Sequence, residues 1–367
     1  MMNYSSITPN FNALSDFKGT SYLYAPGMMG SEFVMARYCP SFTASTGEKI
    51  VSKSGGNVIG QPHSAVTFPE VDLRKPTFSC NPITFCINSL RMLIVPVAQR
   101  IMQYKFDFTI KDNPESTTSV INYFFDFSKA NLGQEADVQT LGQAYQEHLK
   151  KYPETDVVLY GDSRGAATIF NFIAHHKPAY VKAAILEGIY DSLDHIIKHF
   201  ITSNKSTFTE KLLNRLARIT LGGYKNEGMN QRESAEIIDD TIPLLLVISL
   251  KDGQVPPQSA FYLYKRLQER GHKQVHLLVL KKSLHPIYMM DDPEDKKVYE
   301  SVVHAFYKHY NLPHNAQKAA LGKQMFQETR PSIEQLQEKY KLDQCSYCDS
   351  YEPYPVRQAK KTTLIFE

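Results

Sequence analysis

The sequence predicts an α/β fold, with a mostly parallel, doubly wound sheet that carries helices on both faces. From Thr20 onward, short apolar runs rich in β-branched residues alternate with longer amphipathic stretches. This order is typical of parallel strands joined by helices. A Gly-x-Ser-x-Gly pentapeptide, from Gly161 to Gly165, lies between one such run and one such stretch. Because a sharp strand-to-helix turn belongs at that place, the motif and the alternation indicate the same fold class.

The individual elements follow the same alternation. Each predicted strand is short and largely apolar, and each predicted helix repeats apolar residues at the spacing of one helical face. The predicted strands are 21–25, 120–127, 156–160, 181–187, 243–249 and 274–280. The predicted helices are 138–151, 164–176, 258–270 and 292–310.

Two segments interrupt this alternation and are predicted to be insertions in a domain that spans 1–312. The first insertion, 31–119, follows the first strand. The second, 192–241, contains two amphipathic helices, at 193–201 and 208–219. It forms either a lid over a site or a packed surface ornament.

The chain becomes polar beyond the last predicted helix. We predict that 313–367 is a C-terminal appendage, partly helical or disordered. One weak helix is expected at 331–341, where Ser332 and Gln335 have the spacing of a capping box.

Composition excludes several classes of protein. The 41 basic and 38 acidic residues leave a net charge of +3, which is too balanced to imply a nucleic-acid partner. Polar residues interrupt the most apolar segment, 83–102. No membrane span is therefore expected, although a helix there could lie on a membrane surface or cover an active site. The N-terminus lacks a secretory signal, and the five scattered cysteines do not indicate a disulfide framework. We expect a cytoplasmic protein.

Signals for a cofactor or a metal are weak. Cys345 and Cys348 have the spacing of half a zinc site or of a redox pair, but no second pair with ligand spacing accompanies them. The sequence has neither a phosphate-binding glycine loop nor a dinucleotide fingerprint. We therefore expect no cofactor and no metal site, and the oligomeric state is left open.

Ser163, at the centre of the pentapeptide, is the candidate nucleophile. A nucleophile held above a sheet needs a strained turn, and that turn leaves no room for side chains two residues before and after it. Gly161 and Gly165 meet this requirement. The alternative is a chance motif in which Ser163 only caps the following helix. With these residues in this context, the chain resembles the α/β-hydrolase superfamily over about residues 20–312, and the resemblance implies that Ser163 attacks the substrate.

The same resemblance implies an acid and a histidine, each following a later strand. Asp252 lies at the end of the strand 243–249, and His285 follows the last strand. The competing acids are Glu187 and Asp191, which follow the strand after the pentapeptide helix. The competing histidines are less suitable, because His276 lies within a strand and His175 and His176 end a helix.

The sequence around Asp252 is similar to one family within the superfamily. The stretch Asp252-Gly-Gln-Val-Pro-Pro-Gln-Ser, followed by Leu267 and Gly271, resembles prolyl-oligopeptidase-type peptidases and related esterases. Two departures count against that family. Ala166 stands where it usually has a second glycine, and no propeller-like repeats precede the hydrolase part. The resemblance therefore favours the superfamily over that family.

Two backbone amides are expected to bind the oxygen of the substrate carbonyl. The amide of Arg164, directly after the nucleophile, is the first. By register with the superfamily's His-Gly loop, the amide of Met28 is the second, although Pro26 replaces the histidine. A plain glycine turn is the alternative for this loop. The side chains of Arg164 and Asp162 are given no role in substrate binding, because a salt bridge or a helix-start charge explains them equally well.

These features predict a serine hydrolase that acts on a small-molecule acyl substrate. A carboxylic ester or a thioester is favoured, because Met28, Met29 and a lid would suit an acyl chain. A serine peptidase that acts on short peptides is the alternative. From another class, the chain could be a non-catalytic interaction protein that keeps the fold.

Overall fold

The computed structural model describes residues 19–27, 50–51, 57–58, 63–66, 133–153, 155–192, 195–196, 199, 229–285 and 292–340. The strands with defined bounds are β1 (Thr20–Ala25), β2 (Ile50–Val51), β3 (Asn57–Val58), β4 (His63–Ala65), β5 (Asp156–Asp162), β6 (Val181–Glu187), β7 (Leu244–Ser249) and β8 (Val275–Leu280). The helices are α1 (Glu135–Lys151), α2 (Arg164–His176), α3 (Gln231–Ile237), α4 (Pro257–Glu269), α5 (Pro293–His309), α6 (Ala316–Gln327) and α7 (Ile333–Tyr340).

Six strands form one sheet in the order β4-β1-β5-β6-β7-β8, and every neighbouring pair is parallel. The register aligns the carboxyl ends of the central strands, with Ala25 opposite Gly161 and Asp162 opposite Glu187. Because all six strands run in the same direction, the loops that follow them gather along one edge of the sheet, the edge formed by the carboxyl ends of the strands.

The sheet is covered on both faces, as predicted. Alternate residues of each strand point to opposite faces. Leu23, Leu159 and Leu246 belong to a core shared with α1, α2 and α4, whereas Tyr24 and Tyr160 belong to a second core shared with α5 and α6. Burial of large apolar side chains on each face supplies the main driving force for this layered arrangement.

Most of the predicted elements that lie in the described part of the chain are present, with ends shifted by a few residues. The predicted strand 120–127 lies outside the described residues. One strand of the sheet, β4, was not predicted, and it lies inside the segment 31–119 that was expected to be an insertion. It pairs with β1 at the edge of the sheet. Three residues are too few to show the periodicity on which sequence-based assignment depends.

The chain beyond residue 312 packs closely on the sheet unit as far as Tyr340. An added Cβ at Gly322 of α6 would overlap the carbonyl oxygen of Ser301 in α5, so the two helices are in backbone contact. The Thr329 carbonyl accepts a hydrogen bond of 2.7 Å from the Leu277 amide of β8, and Leu336 of α7 is part of the core. We therefore propose that the domain extends at least to Tyr340, rather than ending at 312.

The weak helix predicted at 331–341 is present as α7. The predicted capping box is confirmed, because the Ser332 amide donates to Gln335 Oε1 at 2.9 Å and the Gln335 amide donates to Ser332 Oγ at 3.2 Å. The two interactions satisfy amides that a helix start otherwise leaves without partners. The remainder of the predicted appendage, from residue 341, lies outside the described residues.

The insertion 192–241 is described mainly at its ends. Residues 195, 196 and 199 are helical, in agreement with the first predicted helix, and α3 lies at the other end. The second predicted helix, 208–219, and the apolar segment 83–102 lie outside the described residues. In the part of the chain that is described, no helix has the length and apolar character needed to cross a membrane.

Candidate active site

Ser163 occupies a strained turn between β5 and α2. Its backbone angles are φ 51° and ψ −111°, which residues other than glycine rarely adopt. The Ser163 amide donates to the Glu187 carbonyl at 2.8 Å, which ties the turn to the end of β6. Although Ser163 stands at the N-cap position of α2, its side chain makes no capping hydrogen bond. The N-cap interpretation of the motif therefore lacks its expected contact.

The two glycines of the motif lie where the turn leaves no room for a side chain, as the sequence predicted. A Cβ at Gly161 would lie 2.6 Å from the carbonyl carbon of Gly165, which is closer than real Cβ contacts come. A Cβ at Gly165 would overlap the carbonyl oxygen of Ala25, at the end of β1. The first turn of α2 therefore lies directly against the end of β1, and only glycine permits that approach.

Asp252 and His285 form a buried hydrogen-bonded pair. His285 Nδ1 lies 2.7 Å from Asp252 Oδ2, and the two side chains are 4% and 0% exposed. The other oxygen, Asp252 Oδ1, accepts hydrogen bonds from the amides of Gln254 at 2.9 Å and Val255 at 2.8 Å. Because both carboxylate oxygens are held, the carboxylate can fix the orientation of the imidazole ring through Nδ1. The other ring nitrogen, Nε2, then points away from Asp252.

The charges around His285 favour its protonated form. Burial alone would lower the pKa of His285, but the adjacent Asp252 carboxylate, with the more distant charges of Asp162 and Glu187, holds that pKa above its usual value. Ser163 follows β5, Asp252 follows β7 and His285 follows β8, which brings all three to the same edge of the sheet.

The competing acids are committed to other partners. Glu187 Oε2 accepts hydrogen bonds from the hydroxyl groups of Tyr160 at 2.6 Å and Tyr299 at 2.9 Å. Asp191 accepts from Arg232 Nε at 2.7 Å and from Ser259 Oγ at 2.8 Å. Asp191 Oδ2, the oxygen that accepts from Arg232, also contacts His195 Nδ1 at 2.6 Å. Asp252 is therefore the best candidate for the acid.

The competing histidines lie in places that do not suit a catalytic base. His276 is buried in β8, where it stacks on Phe326 with a centroid distance of 4.6 Å and contacts Thr329 and Tyr310 through its two ring nitrogens. Burial lowers the pKa of His276 to about 3, so the ring is neutral in the folded protein at ordinary pH. His175 and His176 lie in the last turn of α2, away from the edge that carries Ser163.

The charged side chains beside Ser163 bind other parts of the protein. Arg164 Nε and Nη2 donate to the two oxygens of Asp137, at 2.7 and 2.6 Å, in a buried bidentate pair. Asp162 Oδ1 accepts from the Tyr24 hydroxyl at 2.6 Å and from the Gly27 amide at 2.9 Å. These contacts support the interpretation that gives neither side chain a role in substrate binding. Sequence reasoning missed Asp137, because a pairing across 27 residues leaves no local pattern.

Of the two amides predicted to bind the substrate carbonyl, only that of Arg164 lies within the described residues. Arg164 is the first residue of α2, so its amide lies at a helix N-terminus, where the helix dipole favours negative charge. Met28 lies outside the described residues. Its neighbour Gly27 is described, and the Gly27 amide already donates a hydrogen bond to Asp162 Oδ1.

Several known proteins resemble this chain. A sequence profile of the prolyl oligopeptidase family matches residues 129–312, which is half of the 367-residue chain. No curated protein matches the chain.

Solved structures similar to this chain include three enzymes of archaea. An esterase from Pyrococcus furiosus has a TM-score of 0.45 and 15% identity, over 80% of this chain and 84% of the esterase. An acylaminoacyl peptidase from Pyrococcus horikoshii has a TM-score of 0.37 and 19% identity, over 52% of this chain and 29% of the peptidase. A monoacylglycerol lipase from Paleococcus ferrophilus has a TM-score of 0.33 and 14% identity, over 47% of this chain and 76% of the lipase. The chain thus spans less than a third of the length of the peptidase.

The parallel sheet, its helices on both faces and the turn at Ser163 define an α/β-hydrolase fold. More narrowly, the chain belongs to the prolyl oligopeptidase family. This membership corrects the preference for the superfamily over the family.

Proposed function

We propose that the protein cleaves an acyl bond, most simply a carboxylic ester or a thioester, through an acyl-enzyme on Ser163. The observation that carries this proposal is the buried Asp252–His285 pair at the edge of the sheet where Ser163 sits in its strained turn. A serine hydroxyl is a weak nucleophile at neutral pH, and an adjacent imidazole held by a carboxylate is the common means of activating it.

The proposed reaction has two halves. In the first, His285 Nε2 takes the proton of Ser163 as the serine oxygen attacks the carbonyl carbon, and then passes that proton to the departing alcohol or thiol. In the second, His285 deprotonates a water molecule that attacks the acyl-enzyme, and the proton returns to Ser163 as the carboxylic acid leaves. Asp252 stays ionised and holds the ring throughout.

The negative charge on the substrate oxygen needs donors that are already in place. In this proposal the amides of Arg164 and Met28 supply them. Loss of one such donor typically slows acyl transfer by roughly 100- to 1,000-fold. The apolar side chains of Met28 and Met29 in the same loop favour an acyl group over a charged one.

A peptidase that acts on short peptides is the second candidate, and membership of the prolyl oligopeptidase family favours it. Cleavage of an amide separates the two candidates, because a serine peptidase also hydrolyses activated esters. We expect acyl-nitrophenyl esters of medium chain length to be cleaved, and the matched peptide amides to show no hydrolysis above the Ser163→Ala background. Hydrolysis of the amides above that background would favour the peptidase.

Controls for this assay use single serine substitutions. Ser163→Ala is expected to remove ester hydrolysis, whereas Ser332→Ala, an exposed change in the capping box of α7, is expected to retain it. Preferential cleavage of the peptide amides would replace the esterase proposal with the peptidase one. Hydrolysis that survives Ser163→Ala would refute both.

We also propose a cytoplasmic location for the protein. The five scattered cysteines support it, because extracellular proteins more often pair their cysteines.

A further inference from the structure

The residue directly before the proposed nucleophile carries a deeply buried carboxylate. Asp162 is only 3% exposed, and its Oδ1 accepts two hydrogen bonds, one from the Tyr24 hydroxyl at 2.6 Å and one from the Gly27 amide at 2.9 Å. Burial of a carboxylate is costly unless it is well hydrogen-bonded. These two bonds offset part of that cost, and one of them holds the backbone of a loop.

The loop held by Asp162 is the one that follows β1. Gly27 directly precedes Met28, the proposed second donor to the substrate oxygen, and Asp162 directly precedes Ser163. The Asp162 carboxylate therefore joins the nucleophile turn to the start of the loop that follows β1. An added Cβ at Gly27 would lie 2.6 Å from Asp162 Oδ2, so the loop backbone rests directly on the carboxylate.

The hydrogen bond to Asp162 also narrows the identity of the second donor. The Gly27 amide is directed at the carboxylate, so it is not the amide that meets the substrate. The next amide along the chain belongs to Met28.

We propose that Asp162 is a positioning residue, which acts through Gly27 to fix the start of the loop that carries Met28, the second proposed donor. This proposal rests on the proposed acyl-transfer function. The donors must already be in place when charge develops on that oxygen, and displacement of a positioned group by about 1 Å can cost roughly 100-fold in rate. The two hydrogen bonds that Asp162 Oδ1 accepts, from the Tyr24 hydroxyl and the Gly27 amide, fix the side chain that performs this task.

Two tyrosines on neighbouring strands give a closely matched test. Tyr24 and Tyr160 are direct partners in the β1–β5 register, and their rings stack with a centroid distance of 5.2 Å. Each donates a hydrogen bond of 2.6 Å to a buried carboxylate: Tyr24 to Asp162, and Tyr160 to Glu187. Phenylalanine at either position removes one hydroxyl from the same face of the sheet, but only Tyr24 bonds the carboxylate that holds the loop.

For Tyr24→Phe we expect kcat on the preferred ester to fall about 10-fold with KM within about twofold of wild type, the pattern of an interaction made only in the transition state. Tyr160→Phe is expected to lower the unfolding temperature to a similar degree while kcat falls less than twofold. Equal kcat values for the two variants, or a fall in kcat that follows the loss of stability in both, would overturn the proposal.

Asp162→Asn tests the carboxylate itself. Asparagine keeps the shape of the side chain but replaces one carboxyl oxygen with an amide group, so the bond to Gly27 is weakened rather than abolished. We expect kcat to fall about 30-fold, again with little change in KM. Wild-type protein that hydrolyses no acyl substrate would refute the proposed function. Active wild-type protein whose kcat is unchanged in both Asp162→Asn and Tyr24→Phe would refute only the positioning role.

Discussion

At the scale of single residues, the environment of His285 sets the pH range in which the enzyme is expected to act. A general base must be neutral to accept a proton. Burial lowers the pKa of His285, but the Asp252 carboxylate, together with Asp162 and Glu187, outweighs burial and raises that pKa above its usual value. The acid limb of kcat/KM is therefore expected at a higher pH than an ordinary histidine would give.

Substitution of Asp252 tests this expectation directly. Asp252→Asn removes the charge that raises the pKa of His285, so the acid limb is expected to move to lower pH. The value of kcat is expected to fall by roughly 10,000-fold, as it does in serine proteases that lose the orienting carboxylate. The measurement is a pH profile of kcat/KM for wild type and variant.

Glu187→Gln is the control for this profile. Glu187 also raises the pKa of His285, but more weakly than Asp252. The acid limb should therefore move in the same direction and by less. An acid limb that moves to higher pH in Asp252→Asn, or that does not move at all, would contradict the pairing of His285 with Asp252.

Residue-level prediction from sequence was possible where chemistry and position coincide. Ser163, Asp252 and His285 could be selected because each follows a recognisable strand and belongs to a residue type suited to one step of acyl transfer. The partners of Arg164 and Asp162 could not be selected. Asp137 and Tyr24 reach them across the fold, and nothing in the local sequence marks such a contact.

At the scale of elements, α6 shows where the sequence-based boundary was misleading. The helix is polar on balance, so it resembled a tail, yet Phe326 is nearly buried and packs against His276 and Phe306. One buried aromatic side chain is enough to dock such a helix, because the apolar area buried counts rather than average polarity.

Two substitutions on α6 test whether it is part of the domain. Phe326→Ala is expected to lower the free energy of unfolding by about 3 kcal/mol, within the usual cost of removing a buried aromatic side chain. Leu321→Ala, at a position on the same helix that is 60% exposed, is expected to change it by less than about 0.5 kcal/mol. Denaturant unfolding of both variants provides the comparison. Equal, small effects would show that α6 is a loosely attached appendage.

At the scale of the whole molecule, the parallel sheet turns distant segments of the chain into neighbours. The profile of the prolyl oligopeptidase family begins at residue 129, so β1 and the loop after it lie outside the matched segment. The structure nevertheless joins them to the matched part through the hydrogen bonds of Asp162 and the close contact of Gly165 with Ala25.

The fold class could be predicted from the alternation of strands and helices, because that pattern is repeated over the chain. The edge strand β4 and the docked C-terminal helices depend on pairings that the linear pattern does not contain.

The central claim is that Ser163 is the residue acylated during catalysis. The most direct measurement is labelling with a fluorophosphonate probe, followed by mass spectrometric mapping of the modified peptide. We expect wild-type protein to carry the probe on Ser163. We expect Ser163→Ala to carry none while its unfolding temperature is retained. Equal labelling of wild type and Ser163→Ala, or modification of a different serine, would contradict it.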